Sequence, residues 1–272
     1  MGKTIKKSVS LSVFEGTSTS PMLFMGDVEE NISRIARLGY DGVDLFLLDA
    51  YADETRKAIR LLRQYNLGIG TIMPAGMAAQ GLFLGDKSEK IRKKIIEKLK
   101  SIIEIAAETD AMVSLGLIRG SAKTDDTVED LLSRFADSIE KILNTSEKYG
   151  VPLLLEPINR YEINNLNSSL EALSFIQRTK LPVYLMLDTF HMNIEDVSME
   201  ESFYKCKDYI RHIHFVDSNR LAPGMGHLDM LKLLKIIKEI NYSGYLCIEA
   251  LRKPDSITVA KKGIDFFVKA GI

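Results

Sequence analysis

The run Leu153-Leu154-Leu155-Glu156-Pro157-Ile158-Asn159-Arg160-Tyr161-Glu162 decides how the chain is read. Its unbroken apolar opening is the pattern of a strand buried on both faces, as in a parallel sheet covered by helices. Pro157 cannot donate to a sheet ladder, so the strand ends there with Glu156 at its tip. A carboxylate in that position is costly unless something binds it. A second acid, Glu162, follows in a polar segment.

Outward from this run the same alternation repeats. Strands are expected at 9–13, 42–48, 67–73, 112–118, 151–156, 182–187, 211–216 and 244–250. Helices are expected at 27–38, 53–65, 87–108, 126–149, 168–178, 199–205, 228–240 and 256–270. The helix at 87–108 shows the logic: Ile91, Ile95, Leu99, Ile102 and Ile103 form one apolar stripe. Gly39 and Gly150 are the expected stops of their helices. Strict strand–helix alternation implies a parallel sheet with right-handed crossovers. Eight such units in about 250 residues match an α/β fold of the closed (β/α)8 TIM-barrel type. An open doubly wound sheet is disfavoured, because no GxGxxG follows the first strand. No linker interrupts the series, so residues 1–272 are expected to form a single domain. The apolar loop 74–85 is expected to be a lid over the site or part of a subunit interface, with an unread extra helix as the alternative.

Composition narrows the function classes. The chain has 272 residues, 46% of them hydrophobic, and a net charge of −1. That balance argues against a nucleic-acid partner. No stretch approaches the ~20 apolar residues of a membrane span. The basic start at 1–7 is followed by an apolar run broken by Ser8, Ser10 and Ser12, which makes a poor signal peptide. Cys206 and Cys247 form no CxxC pattern, and a reducing cytoplasm is the expected location.

In such a barrel the reactive side chains stand at the C-terminal ends of the strands. Four consecutive strands there offer Glu156, Asp188, His214 and Glu249. Taken singly, each has an ordinary explanation. A strand-end acid caps a helix or joins an ion pair, and Asp188 suits an N-cap. His212 and His214 share one strand face; His214 lies nearer the C-terminal end, and His212 is expected to be a structural interior histidine. His191 also fits a surface loop. Together, two glutamates, one aspartate and one histidine form an oxygen-rich set suited to Mn2+, Mg2+ or Co2+.

The segments 156–162 (Glu-Pro-Ile-Asn-Arg-Tyr-Glu), 187–193 (Leu-Asp-Thr-Phe-His-Met-Asn) and 214–220 (His-Phe-Val-Asp-Ser-Asn-Arg), with 223–226 and Glu249, resemble the ketose 3-epimerases of the xylose-isomerase-like barrels. The resemblance covers nearly the whole chain in layout, and its specific motifs lie in the second half. It implies that Glu156, Asp188, His214 and Glu249 bind one divalent metal, with Mn2+ first in order. Glu162, His191 and Arg220 would then hold the substrate near O1 to O3. It further implies deprotonation and reprotonation of C3 through a metal-stabilised enediolate, with Glu156 and Glu249 alternating as base and acid. Glu162 would bind a terminal hydroxyl or relay a proton. A homodimer or homotetramer is also implied.

Arg119, at the end of the expected fourth strand, suggests a substrate carboxylate far from the metal, as in a keto-hexonate or keto-uronate. Pairing with Asp125 is the competing explanation. The substrate expected is therefore a small ketose or a keto-sugar acid. An aldose–ketose isomerase is the nearest alternative function. A dehydratase of cyclic keto-polyols and a non-catalytic sugar-binding barrel are the others. A related DNA-repair endonuclease would need more histidines than the four present.

Overall fold

The alternation closes on itself. In the computed structural model, which describes residues 4–272, eight parallel strands pair in sequence order and the first pairs with the last. β1 (Lys6–Ser12), α1 (Val28–Leu38), β2 (Gly42–Phe46), α2 (Asp53–Gln64) and β3 (Gly68–Met73) make up the first quarter. A short α3 (Gly76–Ala79) precedes α4 (Glu89–Glu108), then come β4 (Met112–Ser114) and α5 (Val128–Tyr149). β5 (Leu153–Leu155), α6 (Ser169–Thr179), β6 (Tyr184–Asp188), α7 (Thr189–Glu195) and α8 (Met199–Cys206) follow. β7 (Ile210–His214), α9 (Met230–Glu239), β8 (Tyr245–Ile248) and α10 (Ser256–Lys269) complete the barrel. No helix among the described residues is long and apolar enough to cross a membrane.

The continuous apolar runs are split between two environments, because side chains alternate along a strand. Leu153 and Leu155 join the large core between strands and helices, whereas Leu154 joins a separate small cluster. Leu185 and Leu187 part from Met186 in the same way, and Leu45 parts from Phe46. The small cluster of Met22, Phe46, Met73, Leu154 and Met186 belongs to the barrel interior. Polar residues share that interior, including Ser8, Ser10, Asp44, His212 and His214, all fully buried. Register sets their level: Asp188 pairs with His214, and His214 with Cys247.

Two expectations change here. The fourth strand stops at Ser114, well short of 118. Beyond it Leu117–Arg119 form one 3-10 turn, closed by Gly120 at a φ of 88°. The apolar loop 74–85 contains the short helix α3, and it packs inward: Met77, Leu82 and Leu84 are buried in the core. Its backbone is tied to the next loop by Leu84 N–H donating to Ile118 O and Gly85 N–H to Arg119 O. Its apolar character is thus explained largely by this burial, while Ala75, Gly76 and Ala79 face the cavity at the barrel mouth.

Candidate active site

The four strand ends converge. Glu156, Asp188, His214 and Glu249 are all buried, and one ligand atom from each lies within 4.8 Å of the others. His214 Nδ1 is central, 3.4 Å from Glu156 Oε1, 3.6 Å from Asp188 Oδ2 and 3.5 Å from Glu249 Oε2. Asp188 does two things at once. Its Oδ1 accepts from Phe190 N–H at 2.8 Å and caps α7, a helix the sequence reading did not include. Its Oδ2 faces the cluster with no hydrogen-bond partner, as does His214 Nδ1. Two buried polar atoms without a hydrogen-bond partner are costly unless something binds them, and a cation in place of the His214 Nδ1 proton would do so. Three carboxylates and one imidazole therefore fit a divalent metal ion, with oxygen donors predominating.

A residue missed in the sequence orients this set. Asp44, fully buried on β2, places Oδ2 2.6 Å from His212 Nε2 and 3.2 Å from His214 Nε2. An acceptor at Nε2 puts the His214 proton there and leaves the Nδ1 lone pair for a metal, the usual carboxylate–histidine–metal arrangement. His212 keeps its structural part and now has a named partner. Burial alone would raise the Asp44 carboxyl, but His212 and His214 hold it well below the ordinary carboxylate range. The signal was present in the sequence: an acid inside the otherwise apolar run Gly42-Val43-Asp44-Leu45-Phe46.

Charge in the cluster follows the same logic. Burial lowers His214, yet Glu249 and the other carboxylates around it hold it well above the usual histidine range. Burial pushes Glu249 upward, against the pull of His214 and Arg220. Both groups therefore hold protons more tightly than in water.

Glu162, His191 and Arg220 gather at one side of the cluster. His191 is buried on α7 rather than in a surface loop. Asn159, another residue missed in the sequence, donates through Nδ2 to Glu162 Oε1 and sits 2.8 Å from His191 Nδ1. The Asn159 amide is fixed because its Oδ1 accepts from Tyr161 N–H. Asn159 Nδ2 thus faces His191 Nδ1 as a donor, while His191 Nε2 lies 3.3 Å from Arg220 Nη1 and faces Glu156 and Asp188. Burial lowers the His191 imidazole, which favours the neutral form. Arg220 donates to Glu249 Oε2 and lies over the Phe190 ring at 4.9 Å. Its own backbone has φ 58°, at a turn organised by Asp217, whose carboxylate accepts from Ser218, Gly224 and Leu228 N–H.

Arg119 is a correction. It is fully buried, and every guanidinium nitrogen is engaged within the protein. Nε donates to Asn165 Oδ1; Nη1 donates to the Gly116 and Glu156 carbonyls, and Nη2 to those of Asn165 and Leu166. Asp125 pairs instead with Lys87 at 2.8 Å. Neither sequence-based explanation fits: the side chain does not line the cavity, and it pairs with no loop acid. The cause is the 3-10 turn, which places Arg119 in a shell of carbonyls behind Glu156. There it fixes the Glu156 main chain. Gly116 completes the fit, because a Cβ at that position would lie 2.6 Å from Glu156 Oε2.

A cavity of about 420 Å3 opens over this cluster. Glu156, Glu249, Glu162, His191 and Arg220 line it, whereas Asp188 and His214 do not.

Comparison with known proteins follows this geometry. A family model described as the xylose isomerase-like TIM barrel matches residues 32–270. The D-psicose 3-epimerase of Enterocloster bolteae is 28% identical over 238 residues, 83% of this chain and 77% of the relative. The 3-dehydro-D-guloside 4-epimerase of Escherichia coli is 26% identical over 242 residues, 83% of this chain and 88% of the relative. Among solved structures, a D-allulose 3-epimerase from Methylomonas sp. in complex with D-allulose superposes with a TM-score of 0.79. It is 22% identical and covers 99% of both chains.

Proposed function

The chain belongs to the xylose isomerase-like TIM barrel family, and we propose that it is a metal-dependent epimerase that inverts the carbon next to the ketone, C3, of a ketose. The observation that carries this reading is the division of labour in the cluster. Of the four candidate metal ligands, only Glu156 and Glu249 also line the cavity. They arise from β5 and β8, with β6 and β7 between them, so they approach a bound sugar from different sides. Similarity to 3- and 4-epimerases of keto sugars supports the same reaction class.

The chain's own groups account for the proton movements. One glutamate removes the proton from C3 on one face, and the other returns a proton on the opposite face. The roles exchange in the reverse direction. Arg220 would present donors to the substrate oxygens beside C3, His191 would orient the same oxygens, and Glu162 would present an acceptor to a hydroxyl. Glu156, Asp188, His214 and Glu249 would hold the divalent cation, for which Mn2+ best suits the donor set. When bound, it would supply Lewis-acid stabilisation of the negative charge that forms on the substrate oxygens. With Arg119 committed to carbonyls, the reason for a keto-sugar acid falls away.

The test is incubation of ketoses with the enzyme and Mn2+ in D2O, followed by NMR. Deuterium at C3 with formation of the C3 epimer is the expected result. Deuterium at C1 would instead establish an aldose–ketose isomerase, and no exchange at all would favour a sugar-binding barrel. Glu156→Gln and Glu249→Gln should each lower the exchange rate by at least about 100-fold.

A further inference from the structure

The segment after β7 is built around one carboxylate. Asp217 is fully buried and does not line the cavity. Its Oδ1 accepts from Ser218 N–H at 2.7 Å and from Leu228 N–H at 3.0 Å, and its Oδ2 from Gly224 N–H at 2.9 Å. Burial raises this carboxyl, yet the N–H groups of Leu228, Ser218, Gly226 and Gly224 hold it below the ordinary carboxylate range. Its main chain closes the same turn, because Asp217 N–H donates to Leu221 O and Arg220 N–H donates to Asp217 O. Arg220 sits inside the turn at φ 58°, a region that a residue with a Cβ enters at a cost. Surrounding bonds must therefore hold it there. Leu251 N–H, just past Glu249 in the chain, donates to Arg220 O, and the guanidinium donates to Glu249 Oε2 and lines the cavity. Space for the carboxylate depends on Gly226: a Cβ at that position would lie 2.2 Å from Asp217 Oδ1.

We propose that Asp217 is the positioning residue for Arg220: by holding the 217–228 turn closed, it aims the guanidinium at Glu249 and at the ligand oxygens, and so sets how tightly a keto sugar is bound. The inference rests on the reading of Arg220 as a ligand contact. It does not require turnover, since the same guanidinium would meet a sugar that is only bound. Asparagine at 217 keeps one acceptor oxygen where three N–H groups now use two, so part of the turn is released. Alanine at 226 pushes the carboxylate aside while keeping its charge. Two chemically different substitutions thus converge on one consequence, a displaced Arg220.

The experiment is a double-mutant cycle on the full chain at saturating Mn2+, with D-fructose and D-tagatose as probes. Kd by calorimetry and kcat/KM for C3 exchange in D2O are the readouts. Asp217→Asn and Gly226→Ala should each weaken Kd and lower kcat/KM by at least about ten-fold when Arg220 is present. In an Arg220→Gln background neither should cost more than about two-fold further. Equal losses in both backgrounds would overturn the proposal, because a merely structural acid weakens the protein whether or not Arg220 is there. Wild-type affinity and exchange in both single variants would overturn it as well. Gly226→Ala keeps the cycle readable where Asp217→Asn does not fold; failure of both to fold would show that the carboxylate serves stability and would end the positioning role. Binding of a probe without C3 exchange would remove the epimerase reading alone, with the cycle then read from Kd. A wild-type protein that binds neither probe would remove both.

Discussion

Asp44 and Arg119 are the two residues whose surroundings say most about how the site is held. Asp44 touches no cavity, yet its Oδ2 is shared by His212 and His214. Asp44→Asn replaces an acceptor with an amide that can present a donor, so the His214 tautomer is no longer imposed. Affinity for Mn2+ should fall about 10–100-fold, measured by titration calorimetry, with the Glu variant recovering part of the loss. Arg119→Ala would strip partners from four buried carbonyls and the Asn165 side chain. We expect a loss of at least about 3 kcal/mol in denaturant unfolding, or failure to fold. In any protein that does fold, activity on neutral and acidic sugars should fall in parallel, since Arg119 touches neither.

At the scale of elements, the helices carry their own start and stop signals. α6 begins with a capping box: Ser168 Oγ accepts from Glu171 N–H, and the Glu171 carboxylate accepts from Ser168 N–H. Ser168→Ala should destabilise the fold by about 1 kcal/mol and leave metal binding unchanged, checked by thermal unfolding beside calorimetry. α1 and α5 end on Gly39 and Gly150 in the left-handed region, as their sequence positions indicate. The fourth strand was less legible. The run Leu115-Gly116-Leu117-Ile118 reads as buried strand, and its hydrophobicity is the same whether the backbone extends or turns. The turn is decided by neighbours: Leu115 N–H still pairs with Leu154 O, after which Arg119 and the 84–85 backbone draw the chain round. α7 was hidden for a related reason, because Asp188-Thr189-Phe190-His191 reads as a loop until Asp188 is seen as its cap.

Across the whole molecule, the proposed cation site joins four strands that lie far apart in sequence, so metal binding should stabilise the fold. At 100-fold excess over Kd the gain is about 2.7 kcal/mol, enough to raise Tm by roughly 5–10 °C. A chelator should reverse it in a thermal-shift assay. The site should also sense pH. Glu249 and His214 hold their protons above the ordinary ranges, and a metal must displace those protons. Affinity is therefore expected to weaken steadily as pH falls through the neutral range, where Glu249 takes up its proton. Calorimetry in buffers of different ionisation enthalpy should show proton release on binding; a pH-independent affinity would contradict the assignment of these ligands.

The amino-acid sequence alone determined the barrel and the converging quartet. Eight buried strands alternating with amphipathic helices have few closed packings, and an acid ending an apolar strand marks the catalytic face locally. Glu156, Asp188, His214 and Glu249 were legible for that reason, whereas Glu162, His191 and Arg220 were legible only through the family resemblance. What only the tertiary structure decided depends on contacts between distant segments. Asp44 meets His214 across 170 positions, and Arg119 meets Asn165 across 46. A side chain's residue type states what it can bond to, but the backbone path decides what lies within reach. For Arg119 that path ends among buried carbonyls, so a residue suited to a carboxylate became a strut behind Glu156.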